Sequence, residues 1–559
     1  MDFDPVPFYL LPAVIGWVIV CGVSVALVMG VSFLAMLASR GGRGVVLWGN
    51  ELGGMLSDVF SISPKRVLAL AQLTWREAIR RKALLVFVVF AVLFMFAGWF
   101  LSSSDLPPEF QVKVYVTFVL RAISWLILPV VLLLSCWGIP EDIKQRSLHT
   151  VVTKPARRLE IVLGRMLGFS VVATVVLVVM AVVGEFWINR QLSEDAKKFL
   201  TCRQPIFGAL HFIDRDGNPA AAGINVGDIW MFHSYIEGAS KARAVFTFTN
   251  LDAGVLDAEG NLRLENRFQA FRSHKGDMRR PLYYQYVLIN PDTGLRVPIS
   301  LKTVNEFRGR TDVIPRALPK VEEATAAGKS DAESGKAHDL IDDVISKQAV
   351  VDPQTKQVVY PAGSMVVEVI AIDPGQYLGM ARPDLFIRTP DRPFWVGYVK
   401  AVFGIELMLL LVVMLGVTAS TFVKGPVATL VTFCFIIVGQ TAREFMHKLV
   451  SGSAENGGGV FESIYRIVAH MNPTTPLPEG PATQAMKFVD GIMLQGLWLV
   501  EQIIPSFDFF THSLTYLANG FDVRFDSAVL PGIAIVLGYF LPCVLLGYFC
   551  LRIRELESK

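Results

Sequence analysis

Few residues in this sequence could do covalent or metal chemistry. The eight histidines are scattered, with no HExxH pair and no cysteine at ligand spacing, so neither a metal site nor a catalytic centre is expected. Gly328-Lys329-Ser330 ends like a phosphate-binding loop, but the position of the earlier glycine holds Glu323. Asp214-Arg215-Asp216-Gly217-Asn218 opens like a calcium loop. Pro219 then replaces the required glycine and Asn225 the bidentate glutamate, which leaves a turn. What remains is electrostatic. Arg121 and Glu406 each sit inside a long apolar run, where a charge usually faces protein or a water-filled cavity. They are expected to line a pathway or to fix helix packing. They could pair with each other, or Arg121 could reach the outer interface.

The apolar runs that carry these charges dominate the chain. Of 559 residues, 53% are hydrophobic and only 18% charged, against about 25% charged in soluble domains. The net charge of +3 gives no reason to expect a nucleic-acid partner. Seven runs approach the roughly 20 residues that cross a bilayer. They cover about residues 8–38, 83–101, 115–138, 161–188, 394–422, 427–440 and 529–551. The sixth is short. The first follows Asp2 and Asp4 rather than a basic stretch and is too long for a cleavable signal.

Lysine and arginine collect after the first run, between the third and fourth, and in the tail at Arg552 and Arg554. The loop between the second and third holds Asp105, Glu109 and only Lys113. The basic loops and C-terminus therefore belong in the cytoplasm, with the N-terminus and residues 191–393 outside, in a multi-pass protein of the cell (inner) membrane.

The outer region alternates like strands at 244–249, 261–271, 283–289, 296–304, 365–372 and 385–388. Pro291-Asp292-Thr293-Gly294 has hairpin-turn chemistry. A β sandwich is expected, held by its core because Cys202 is its lone cysteine. Residues 319–348 read as a mobile insert or solvated helix. A second outer segment, 441–527, contains a helix at 484–504 that lies on the membrane or dips into it.

Two cytoplasmic stretches have mechanical potential. Residues 63–82 place Ser63 and Pro64 at a helix start, with Leu68, Leu70, Ala71, Leu73, Trp75 and Ile79 on one surface and Arg76, Arg80 and Arg81 on the other. This suits an interfacial helix, or a basic flank that only sets topology. Residues 140–168 predict a short polar helix at 141–150, a break at Pro155 and re-entry into the membrane. It could seat in a soluble partner or form an ordinary loop.

Together these stretches resemble the ABC-2 type permease family. Arg76-Glu77-Ala78-Ile79-Arg80 matches its interfacial-helix ending. Glu141, Arg146-Ser147-Leu148, Thr150, Pro155, Arg158-Leu159-Glu160, Gly164-Arg165 and Leu167-Gly168 match its second element, with Arg165 where lysine is common. Ile504-Pro505-Ser506-Phe507 and the tail Arg552–Glu555 match the third and fourth. The resemblance covers about 63–191 and 394–559. It implies a six-helix core in a dimer with itself or a similar chain. It also implies a coupling helix at 141–150, with Glu141, Asp142, Arg146, Thr150, Pro155 and Arg158 facing an ABC ATP-binding subunit that holds ATP and Mg. Trp75, Arg76, Glu77 and Arg80 would form the interfacial helix.

The expected fold is an α-helical polytopic membrane protein with an inserted, mostly β extracytoplasmic domain. Its parts are an extra N-terminal helix and linker (1–62), a first half (63–190), the β-rich domain (191–393) and a second half (394–559). The leading function is a transporter subunit without its own ATPase. A membrane-anchored binding or scaffold protein needs only one or two spans, and a membrane enzyme needs clustered polar residues that the spans lack.

Overall fold

The computed structural model describes residues 9–41, 48–49, 53, 61–80, 85–100, 108–144, 157–220, 222–224, 233–272, 281–304, 309–318, 338–351, 358–451, 458–471, 477–478, 480–522, 525 and 529–557. It divides into two compact units, Thr201–Phe394 and a helical unit made of Val6–Leu200 with Trp395–Lys559.

The helices of the second unit follow the apolar runs. They are α1 (Leu10–Arg40), α2 (Pro64–Arg80), α3 (Leu85–Phe100), α4 (Pro108–Lys144), α5 (Arg158–Gln191), α6 (Phe394–Phe422), α7 (Gly425–Ile437), α8 (Arg443–Ser451), α9 (Val460–Val468), α10 (Pro481–Ile503), α11 (Asp508–Ala518) and α12 (Leu530–Glu557). Five segments among the described residues are long and apolar enough to cross a membrane: Phe110–Lys144, Arg158–Gln191, Phe394–Phe422, Gly425–Ala442 and Leu530–Leu551. The sixth expected run extends past Ile437 through one π-helical turn, Val438–Ala442, which brings it to spanning length. The second expected run corresponds to α3, whose 16 residues reach about 24 Å at 1.5 Å per residue. The first corresponds to α1, tied to α12 by Trp17, whose indole donates to Gly538 O at 3.2 Å.

One expectation for the helical unit changes. Glu141–Lys144 is the last turn of α4 and not the start of a separate helix. Residues 145–150, with Arg146 and Thr150, and Pro155 beyond them, lie outside the described residues. The helix expected at 484–504 is α10, and its C-terminal end is drawn into the helical unit. The Tyr539 hydroxyl donates to Ile503 O at 2.8 Å, nine residues into α12 and so about 14 Å from that helix's first residue. Asp490, 2% exposed, accepts from the backbone amides of Phe461 and Glu462 at 2.9 Å each and satisfies the start of α9.

The other unit is built from β1 (Ala209–Ile213), β2 (Arg243–Phe248), β3 (Leu262–Asn266), β4 (Tyr283–Ile289), β5 (Arg296–Pro298), β6 (Arg310–Ile314), β7 (Met365–Ala371), β8 (Leu385–Arg388) and shorter strands. A seven-stranded antiparallel sheet runs β5-β4-β7-β2-β1 and then Pro219–Ala220, with Lys302–Thr303 also on β4. A four-stranded sheet runs β6-β3-β8 and then Pro205–Phe207. Alternation works as it should in β2: Ala244, Phe246 and Phe248 are fully buried and their neighbours are not. Gly294, with φ of +71°, closes the expected β4–β5 turn. The end of the polar insert is ordered, contrary to expectation. His338–Asp339 pairs with Ala317–Leu318, and Leu340 and Val344 are fully buried in the core. Residues 319–337 lie outside the described residues.

Within that core sits one polar cluster. Asp312 Oδ2 accepts from the Tyr284 hydroxyl at 2.5 Å, and Asn266 Nδ2 lies 2.8 Å from both the Tyr284 and Tyr286 hydroxyls. Arg310 Nε donates to the other Asp312 oxygen at 2.8 Å. A buried carboxylate is tolerated because its lone pairs are occupied.

Candidate functional site

The motif-bearing stretches meet at one end of the helical unit. α2 lies along α5, and the contact depends on two glycines. A Cβ added at Gly164 would fall 2.5 Å from Leu70 Cβ, and one at Gly168 would fall 2.5 Å from Thr74 Cβ and 2.9 Å from Ala71 O. Each step of four on α5 meets a step of four on α2, so the helices run in the same sense. The buried face of α2 is small, Ala71, Thr74 and Ala78, as backbones packed this closely require. Leu68, Leu73 and Ile79 point away and are exposed. The apolar surface expected in lipid is therefore split, with its small residues against protein.

This close approach assembles a charge knot. The Arg165 side chain, 8% exposed, donates to Glu77 Oε2 at 2.6 Å, to Thr74 Oγ1 at 3.3 Å and to Asp142 Oδ2. It thereby joins α2, the end of α4 and α5. One turn earlier, Glu160 is fully buried. It accepts from Ser63 N at 2.9 Å and Arg157 N at 3.0 Å and pairs with Arg66 at 3.1 Å. Both charges are paired and hydrogen-bonded, as burial demands.

Of the expected interfacial residues, Glu77 enters the knot, Trp75 is half-buried, and Arg76 and Arg80 are exposed. Of the expected coupling residues, Asp142 enters the knot, while Glu141 and Arg158 are half-buried beside it in the chain. Thr74 and Arg66 were not singled out by sequence, and Ser63 was expected only as a helix start. A hydroxyl on an otherwise apolar helix face and the Gly164/Gly168 spacing were the available signals.

The third motif stretch lies elsewhere in the unit. Phe507 is fully buried, and its ring and Pro505 O approach the site of Gly439, where an added Cβ would lie 2.5 and 2.6 Å from them. The π turn places Gly439 there.

The two charges set in apolar runs are not joined. Glu406 accepts from Thr174 Oγ1 at 2.7 Å, and its other oxygen is buried with no hydrogen-bond partner among the described residues. Arg121 is exposed on α4 and makes no ion pair with Glu406. A further pair, missed because Asp522 lies outside any apolar run, links Lys400 Nζ to fully buried Asp522 at 2.8 Å. Among the described residues no group of three or more histidine, cysteine, aspartate or glutamate side chains could hold a metal. No family model, curated protein or solved structure matches this chain.

Proposed function

We propose that the chain is the membrane-spanning permease subunit of an ABC transporter, with a six-helix ABC-2-like core. A separate subunit binds ATP and Mg and hydrolyses ATP, and this chain converts that cycle into export or extraction of a substrate. It works with a second copy or a similar permease chain in the cell (inner) membrane. The N-terminus and the Thr201–Phe394 unit face outward, and the C-terminus faces the cytoplasm.

One observation carries the reading. Arg165 ties the amphipathic helix α2 and the last turn of α4 to α5. The chain after Asp142 would be the part touching a motor. A push on it would be delivered through a paired, desolvated charge rather than through loose side chains. Such contacts hold one geometry because leaving either partner alone is costly. The compact Thr201–Phe394 unit, with its own core, keeps a second reading open as a membrane-anchored extracytoplasmic binding or scaffold protein.

The test is affinity purification of the full chain in mild detergent with assay of co-purifying ATP hydrolysis. A stoichiometric ATP-binding partner, lost when Glu141 and Arg146 are replaced, supports the permease. A chain that purifies alone, without ATPase after crosslinking in native membranes, overturns it in favour of the anchored module.

A further inference from the structure

Arg121 is a charge inside an apolar helix with no partner among the described residues. Its side chain is exposed on α4 and bonds to no described residue. Its height can be read from two helices. Along α4, Arg121 precedes Asp142 by twenty-one residues, about 31 Å at 1.5 Å per residue. Along α5, Gly184 follows Arg165 by nineteen residues, about 28 Å. An added Cβ at Gly184 would lie 2.6 Å from Val119 Cγ1 and 3.3 Å from Ile123 Cδ1, so the α4 segment around Arg121 stands at that height. Both lengths match the roughly 30 Å thickness of a bilayer's hydrocarbon layer. If the charge knot marks one face of the membrane, Arg121 stands at the phosphate level of the opposite leaflet.

Trp125, one turn toward the knot, is 78% exposed. An exposed indole just inside the headgroup level has the amphipathic fit of the interfacial aromatic belt. A guanidinium presents parallel N–H donors that match two phosphate oxygens. A cation left facing lipid tails would be costly, and one on a phosphate is not. A two-fold contact through the same stripe would bring two Arg121 side chains toward each other, which disfavours a second copy as the occupant.

We propose that Arg121 and Trp125 form a binding site on α4 for the phosphodiester headgroup of a phospholipid in the leaflet far from the knot. The guanidinium holds the phosphate, and the indole lies along the glycerol and upper acyl chain. The site is independent of any transport role.

The test is native mass spectrometry of the purified full chain titrated with phosphatidylglycerol, with diacylglycerol as the comparator lacking a phosphate. Arg121→Gln should weaken phosphatidylglycerol adducts by about tenfold, Arg121→Lys should retain most of them, and diacylglycerol adducts should be alike in all three. Equal phosphatidylglycerol adducts on the native chain and Arg121→Gln overturn the proposal. So does a shift from dimer to monomer in Arg121→Gln with lipid adducts unchanged, which would make this face a contact between copies. Should Arg121→Gln fail to fold, Trp125→Leu decides: unchanged phosphatidylglycerol binding there overturns the site.

Discussion

Arg165 of α5 donates to Glu77 of α2 across 88 residues of sequence, at 2.6 Å, with the guanidinium almost wholly out of water. Removing one member of such a pair strands the other. Arg165→Gln should cost about 3–5 kcal/mol of stability, read as a lower unfolding midpoint in detergent. A double-mutant cycle of Arg165→Gln with Glu77→Gln should show coupling well above the 0.3–0.5 kcal/mol error expected of independent sites. Additive effects would mean that the two charges do not act together.

The glycine contact beneath the knot makes a second, separable prediction. Gly168→Ala forces a methyl against Thr74 and the Ala71 carbonyl and should destabilise by about 1–3 kcal/mol through overpacking. Gly16→Ala, in α1 with nothing within 4 Å of the added carbon, should be neutral or stabilising by about 0.4–1 kcal/mol. The thermal midpoint should fall in Gly168→Ala and should not fall in Gly16→Ala.

Glu406 and Thr174 define a third. Glu406→Gln keeps the side chain's size while removing its charge. If the carboxylate serves turnover, this variant should assemble with its partners yet lose transport-linked ATP hydrolysis. Thr174→Val, which removes the group donating to Glu406, should shift the same rate. Wild-type turnover in Glu406→Gln would assign the carboxylate to packing alone.

The Tyr284–Asp312 cluster predicts an alkaline limit. Burial first, then the neighbouring Asp312 charge, raises the Tyr284 hydroxyl above its usual value. Burial, then Tyr284, does the same to Tyr286. Unfolded tyrosines lose their protons near pH 10, before these folded ones do. Their contribution to stability is therefore complete below about pH 10 and declines as pH rises above it toward the folded-state values. Melting midpoints of the β-rich unit within the full chain should fall above about pH 10. In Tyr286→Phe the fall should be shallower.

The sequence by itself determined the parts whose physics is local or periodic. Apolar runs became helices because a chain that buries its backbone polar groups in lipid must satisfy them within each segment. Alternation in β2 was readable because the side-chain period of a strand is two, and the turn at Gly294 from its residue types; β4 formed where expected but is buried on both faces. Ser63 and Pro64 were readable as a helix start. Tertiary structure decided which charges meet. Nothing in the spacing of Glu77, Asp142 and Arg165 says that one guanidinium serves both carboxylates; that follows from two glycines letting α2 settle on α5. Arg121 and Glu406 could have been partners by charge and depth, but the packing gives Glu406 to Thr174 and leaves Arg121 facing outward. The end of the polar insert looked solvated by composition, yet Leu340 and Val344 found a core made by strands distant in sequence. Burial depends on what the rest of the chain brings alongside, and no local window carries that information.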